Sequence, residues 1–214
     1  MIRAVLFDFG GVVTTSPFDA FAEYEAANGL PVGLIRQLNA ANPDTNAWAQ
    51  LERSSVSLDE FAAIFEAEAA ALGHRLEGRA VLGLLAGRVR PEMAEAVRRC
   101  SERLVTACLT NNFRSTAGGP ALPNDPGRDA EVAEVMKLFS AVIESSKVGV
   151  RKPDPRFYEL ACETLRIEAD EAVFLDDLGI NLKPARQLGM TTIKVVEPAQ
   201  ALAELEAAVG FPLT

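Results

Sequence analysis

One histidine, three cysteines and a single tryptophan among 214 residues remove several chemistries at the outset. A Ser–His–Asp or Cys–His mechanism would have to rest on His74 alone, and a His/Cys zinc centre is short of ligands for the same reason. The cysteines are odd in number. Cys100, Cys108 and Cys162 each lie in an apolar-patterned stretch and read as free buried thiols of a reducing compartment, not as a disulfide framework. No apolar run is long enough to cross a bilayer. The stretch from Met1 to Phe7 carries one basic residue and runs straight into an apolar segment, so no secretory leader is expected and the expected location is cytoplasmic. Basic residues are scarce, 21 against 30 acidic, for a formal net charge of -9. That balance suits neither nucleic acid nor an anionic membrane surface. What is plentiful is apolar: 49% of the chain is hydrophobic, enough for one large domain or one domain with an inserted module.

Four short apolar runs predict buried parallel strands at 3–7, 104–109, 172–175 and 191–196, with a weaker fifth at 141–144. Helical patterns separate them, at 91–103, 155–166, 181–188 and 200–209. The helix at 155 follows Asp154, a cap residue, and begins on a proline. Alternating strands and helices predict an α/β fold with a doubly wound, Rossmann-like parallel sheet. Between Thr14 and about Arg90 the pattern changes to helices only, at 17–27, 32–40, 46–53, 58–72 and 78–85, with Ser57 and Glu60 spaced as a capping box. This reads as an inserted all-helical cap over residues 15–90, the core being residues 1–14 and 91–214. The segment 114–128, rich in Gly, Pro, Asn and Asp, reads as a long loop.

Asp8 closes the first apolar run and precedes Phe9-Gly10-Gly11. In a doubly wound sheet ligands bind at the carboxyl ends of the strands. Asp8, Thr110 and the pair Asp176-Asp177 each follow the last apolar residue of a strand and are expected to meet at that edge. A carboxylate attacks phosphorus once the phosphoryl charge is neutralised, which suits Asp8 as a nucleophile. Three carboxylates in one place repel unless a cation joins them, and hard oxygen donors suit Mg²⁺. Lys152 adds a compact positive charge for a transferring phosphoryl group, and Thr110 a hydroxyl and an N–H for its oxygens. Phe9, Gly10 and Asn111 flank these groups as candidate substrate contacts. Taken singly, each has a plainer role: Asp8 and Thr110 as turn caps, Lys152 as a solvated charge, the acidic pair as a helix cap.

The segments VLFDFGGVV, ACLTNN, GVRKPDPRFYEL and VFLDDLGINLKPARQLGMTTIKV resemble the haloacid dehalogenase-like (HAD) hydrolase superfamily, and they span nearly the whole chain. Within it the chain is most similar to the phosphatase-like N-terminal domain of soluble epoxide hydrolases and to the related domain fused to some acyl-CoA dehydrogenases. The helical insertion looks like the superfamily's first cap type. The resemblance implies a two-step phosphoryl transfer through an aspartyl phosphate on Asp8, with Thr110 and Lys152 holding the phosphoryl group. It further implies Mg²⁺ held by Asp8, Asp177 and the backbone carbonyl of Gly10, with Asp176 behind them, and a small phosphorylated metabolite as substrate.

One departure from the pattern matters. Such phosphatases usually carry a second aspartate two residues after the nucleophile, as acid and then base; here the position is Gly10. Asp19, Glu52 and His74 are cap-side residues able to stand in. A 2-haloacid dehalogenase needs neither that aspartate nor a metal, so Gly10 fits it, but the resemblance gives dehalogenases neutral residues where Asp176 and Asp177 stand. A third reading is a module that binds a phosphorylated ligand without turning it over. Phe18, Trp48 and Arg53 are candidates for substrate selection on the cap, or else members of the cap's own core and surface.

Overall fold

The computed structural model describes residues 1–113 and 125–213. The chain divides into two compact units, residues 1–15, 88–111 and 125–214 in the first and residues 16–87 and 112–124 in the second. In chain order the elements are β1 (Ala4–Phe7), α1 (Phe18–Ala27), α2 (Leu34–Ala40), α3 (Ala47–Glu52), α4 (Leu58–Ala71), α5 (Gly78–Gly83), α6 (Pro91–Ser101) and β2 (Val105–Thr110). They continue with α7 (Pro126–Met136), β3 (Ala141–Glu144), α8 (Ser145–Val148), α9 (Pro155–Leu165), β4 (Ala172–Asp176), α10 (Gly179–Gln187), β5 (Thr191–Lys194) and α11 (Pro198–Val209). All five expected strands are present, within two residues of the expected ends.

In the first unit the strands form one parallel sheet in the order β3-β2-β1-β4-β5. The middle strand reads AVLF and is buried at every position, because helices cover both faces and no polar alternation is needed. Val5 and Phe7 point to a core shared with Met93, Val97, Leu202 and Leu205, from α6 and α11. Ala4 and Leu6 point to the other core, with Phe157, Tyr158, Leu182 and Ala185 from α9 and α10. From β1 the chain builds β2 and β3 on one side and then returns to β4 and β5 on the other. The winding therefore reverses between β1 and β4, the place where such sheets hold ligands.

Local chemistry sets the helix starts. Asp154 caps α9 through Arg156 N–H at 2.9 Å, with Pro155 in the first turn. Asp125 does the same for α7 through Arg128 N–H at 3.1 Å, ahead of Pro126. The loop expected over 114–128 is corrected at this end: residues 114–124 lie outside the described residues, and Pro126, Gly127 and Arg128 open a helix. Pro-Gly reads as a breaker in sequence, but proline is favoured at the first position of a helix, where its missing N–H has no partner to lose.

The second unit holds α1 to α5. Its core gathers Phe21, Leu34, Ile35, Leu38, Trp48, Leu51, Phe61 and Phe65. The expected capping box is present, Glu60 N–H on Ser57 Oγ at 3.2 Å and Ser57 N–H on Glu60 Oε2 at 2.7 Å. Glu25 is almost wholly buried, and its carboxylate accepts from Gly33 N–H at 2.6 Å and Ile35 N–H at 2.8 Å. The start of α2 thus satisfies a charge that would otherwise be costly to bury.

Candidate active site

Strand register places the reactive groups. Phe7 pairs with Cys108 on one side and Leu175 on the other. Asp8 is therefore level with Leu109 and Asp176, and its N–H continues the ladder onto Leu175 O at 2.9 Å. Thr110 ends β2 opposite Glu144. The chain then leaves β1 through a tight turn over Phe9–Val13.

Lys152 is the hub. It is 1% exposed, with Nζ 2.8 Å from Asp8 Oδ1 and 2.7 Å from Asp176 Oδ2. Burial works against its charge, but the Asp176 and Asp8 carboxylates together hold the ammonium above its usual range. Asp8 Oδ1 also accepts Phe9 N–H at 2.7 Å, so one carboxylate oxygen is fixed by two donors. Burial first, then repulsion from Asp176 and Asp177, pushes the Asp8 carboxyl up to about 7, with Lys152 pulling the other way. Asp177 is pushed up to about 6, by burial and then by Asp176, with Lys152 and Arg90 opposing.

Asp176 is fully buried and fully engaged. Besides Lys152 it accepts Leu178 N–H at 2.8 Å and Asn181 Nδ2 at 3.0 and 3.1 Å. Asn181 is in turn fixed by Tyr158, whose hydroxyl donates to its carbonyl at 2.6 Å. Sequence reasoning passed over Asn181 and Arg90. The spacing of Asn181, one helical turn beyond the acidic pair, was the available signal. Asn111, expected as a substrate contact, also braces Lys152. Its side chain grips the Lys152 backbone, accepting N–H at 2.9 Å and donating to the carbonyl at 3.0 Å, as a paired strand would.

The two glycines after Phe9 differ. Gly11 has φ +80°, and a Cβ there would lie 2.3 Å from Asp177 Oδ2. Only glycine allows the turn and the carboxylate to share this space. Gly10 has φ -71° and ψ 126°, and a Cβ there would meet nothing within 4 Å.

Asp8, Asp176 and Asp177 each offer a carboxylate oxygen, all within 4.8 Å of one another. Against three carboxylates Lys152 supplies one positive charge. The surplus, the hard oxygen donors and the closeness of Asp177 to the Gly11 backbone fit a dication such as Mg²⁺. Gly11→Ala should force Asp177 aside. A loss of about 1–3 kcal/mol in chemical denaturation is expected from the positive φ and the clash, with weaker Mg²⁺ binding by calorimetry. Wild-type values for both would show that turn and carboxylate part without cost.

Phe9 packs its ring against the first core and presents its N–H to Asp8. Trp48 and Arg53 belong to the helical unit. There Trp48 is 7% exposed and meets Phe61 edge-on at 4.8 Å, so its indole is part of that unit's core. The Arg53 guanidinium donates to the Asp44 carbonyl. Cys100 and Cys108 are buried, and burial pushes the Cys100 thiol up to about 12, which leaves it unreactive. Among the described residues no helix is long and apolar enough to cross a membrane.

Residues 2–189 match the family model of haloacid dehalogenase-like hydrolases. The chain is 36% identical to mouse acyl-CoA dehydrogenase family member 10, over 99% of its own length and 19% of that protein's. It is 31% identical to pig bifunctional epoxide hydrolase 2, over 99% of its length and 40% of that protein's. It thus spans less than half of either relative. A phosphatase of Mycobacterium tuberculosis is 28% identical, with 93% of this chain and 89% of that protein covered. Among solved structures, a HAD-family enzyme of Bacteroides thetaiotaomicron in complex with magnesium and inorganic phosphate superposes with a TM-score of 0.59 at 17% identity, covering 91% of this chain and 94% of that one. The L-2-haloacid dehalogenase of Xanthobacter autotrophicus with chloropropionic acid covalently bound gives 0.61 at 20% identity, covering 97% and 83%.

Proposed function

Because the chain belongs to the haloacid dehalogenase-like hydrolase family, we propose that it is a Mg²⁺-dependent phosphatase of a small phosphorylated metabolite, working through an aspartyl phosphate on Asp8. The observation that carries this reading is Lys152 bracketed by Asp8 and Asp176, with Asp177 in the same carboxylate cluster. Asp8 attacks phosphorus with one carboxylate oxygen as the bond to the leaving oxygen breaks. Lys152 neutralises a phosphoryl oxygen and keeps the Asp8 carboxylate in a fixed orientation, and Thr110 donates to another oxygen. Water then attacks the phosphorus and Asp8 departs as a carboxylate. Asp8, Asp177 and the Gly10 carbonyl would hold Mg²⁺, which supplies charge neutralisation for the phosphoryl group. Asp176 holds Lys152, and Asn181 and Tyr158 hold Asp176. In this reading residues 15–90 are a cap that selects the substrate, with Trp48 and Arg53 as its candidate contacts, and residues 1–14 and 91–214 are the catalytic core.

Gly10 favours a second reading, a 2-haloacid dehalogenase, in which Asp8 attacks carbon and no acid is required. Two buried or half-buried carboxylates beside the nucleophile oppose it, since they repel a carboxylate substrate. Phosphate release from p-nitrophenyl phosphate is expected with Mg²⁺ and should vanish with chelator. Asp177→Asn should raise the Mg²⁺ concentration for half-maximal rate at least about tenfold. Release indifferent to chelator would remove the metal from the reading. Halide release from 2-chloropropionate, with no phosphate release, would select the dehalogenase.

A further inference from the structure

Gly10 stands where the family resemblance puts a second acid, and nothing in the backbone requires glycine there. Its φ and ψ are open to any residue, and no atom lies within 4 Å of a Cβ placed on it. Gly11 shows the contrast, being fixed as glycine by its φ and by Asp177. Among the described residues of the first unit, three polar groups around Asp8 already have other work. Lys152 Nζ lies against two carboxylates, Asp176 accepts three donors, and Asn111 grips the Lys152 backbone.

The chemistry of the leaving group then decides what the site can cleave. An alkyl phosphate expels an alkoxide, whose conjugate acid is about as weak as water, near 15.7. Without a proton donor that departure is slow. A carboxylate leaves as the anion of an acid that ionises near pH 4 and needs no proton. The energetics agree. An aspartyl phosphate is itself a mixed carboxylic–phosphoric anhydride, so forming it from an acyl phosphate exchanges like for like, whereas forming it from an alkyl ester is uphill.

We infer that the site takes acyl phosphates, phosphoryl groups carried on a carboxylate, in preference to phosphate esters of alcohols. This rests on the phosphatase reading. In the first step the bond from Asp8 Oδ to phosphorus forms. The bond from phosphorus to the acyl oxygen breaks, and the carboxylate leaves with the electron pair. In the second step water adds to phosphorus, Asp8 leaves as a carboxylate, and the proton goes with inorganic phosphate.

The test measures kcat/KM with Mg²⁺ for acetyl phosphate, for aryl phosphates whose phenols ionise between about pH 7 and pH 10, and for glycerol phosphate. Wild type is expected to cleave acetyl phosphate faster than glycerol phosphate by about 10²–10⁴-fold, the usual worth of a missing general acid, with the aryl series falling between in order of acidity. Gly10→Asp is expected to narrow that gap by raising the glycerol phosphate rate. Wild-type rates on acetyl and glycerol phosphate within tenfold of each other would overturn the inference and leave the phosphatase reading standing. No phosphate release from any of these would remove both. The wild-type comparison decides the matter whether or not Gly10→Asp folds.

Discussion

Asp8→Asn is expected to reduce turnover by about 10⁴–10⁶-fold, the scale on which removing a nucleophile acts, while the fold stays at least as stable as wild type. The carboxamide has the shape of the carboxylate, and its oxygen can still accept Phe9 N–H and the Lys152 ammonium, which the structure places at 2.7 and 2.8 Å from Oδ1. What it lacks is an anionic oxygen to bond to phosphorus. Stability follows from the surroundings. Burial and the neighbouring Asp176 and Asp177 raise the Asp8 carboxyl from 3.8 to about 7. Between those values the folded protein binds more protons than the unfolded chain, so metal-free stability falls as pH rises through that window. A neutral side chain at position 8 escapes the loss. Urea denaturation in chelator across pH 4–8 should therefore show wild type losing stability towards neutral pH and Asp8→Asn losing less. Full activity in the variant would sink the nucleophile assignment. A variant that unfolds at all pH values would mean that the ionised carboxylate holds the strand ends together.

The middle of the sheet was legible because β1 and β4 are buried on both faces, so AVLF and AVFL appear as bare apolar runs. The same rule brings Asp8 and Asp176 to one edge, since each follows such a run. Partners chosen across long sequence separations were not legible. Asn111 gripping the backbone of Lys152 joins residues 41 apart, and Tyr158 reaching Asn181 joins residues 23 apart. An asparagine beside a strand end reads equally as ligand or brace, and the brace appears only in its two bonds to the backbone of one residue. α7 was hidden by Pro126-Gly127, where a residue pair that often ends a helix begins one under the Asp125 cap. Trp48 illustrates another limit: a lone aromatic in a helical insert reads equally as binding or core residue, and its indole meets the stacked pair Phe61 and Phe65 edge-on.

Lys152→Met should destabilise the metal-free protein by about 3–5 kcal/mol at neutral pH, the cost of leaving buried charge without its partner. Methionine matches the length of the lysine stem, and the site already has an apolar side, with Phe174 5.5 Å from the ammonium. Asn111 bonds to the backbone of residue 152, not to its side chain, so the segment keeps its anchor and the loss reports the charge alone. Without the ammonium, Asp8 and Asp176 face each other and Asp177 with no cation between them. Two consequences separate this from a simple packing defect. Protonating the carboxylates removes the repulsion. The Asp8 and Asp177 carboxyls already stand at about 7 and about 6 with Lys152 pulling them down, so the deficit should shrink as pH falls below about 7, whereas a cavity would be indifferent to pH. A dication held by Asp8 and Asp177 supplies part of the missing charge, so Mg²⁺ should stabilise Lys152→Met more than wild type. Activity should fall further than stability explains, by about 10²–10³-fold in kcat with Mg²⁺ saturating, because a phosphoryl oxygen has lost its positive partner. Denaturation curves at two pH values, each with Mg²⁺ and with chelator, are sufficient. A deficit that neither acid nor Mg²⁺ relieves would show that Lys152 fills space between the strands, and would move the phosphoryl-binding role to Thr110 and the backbone.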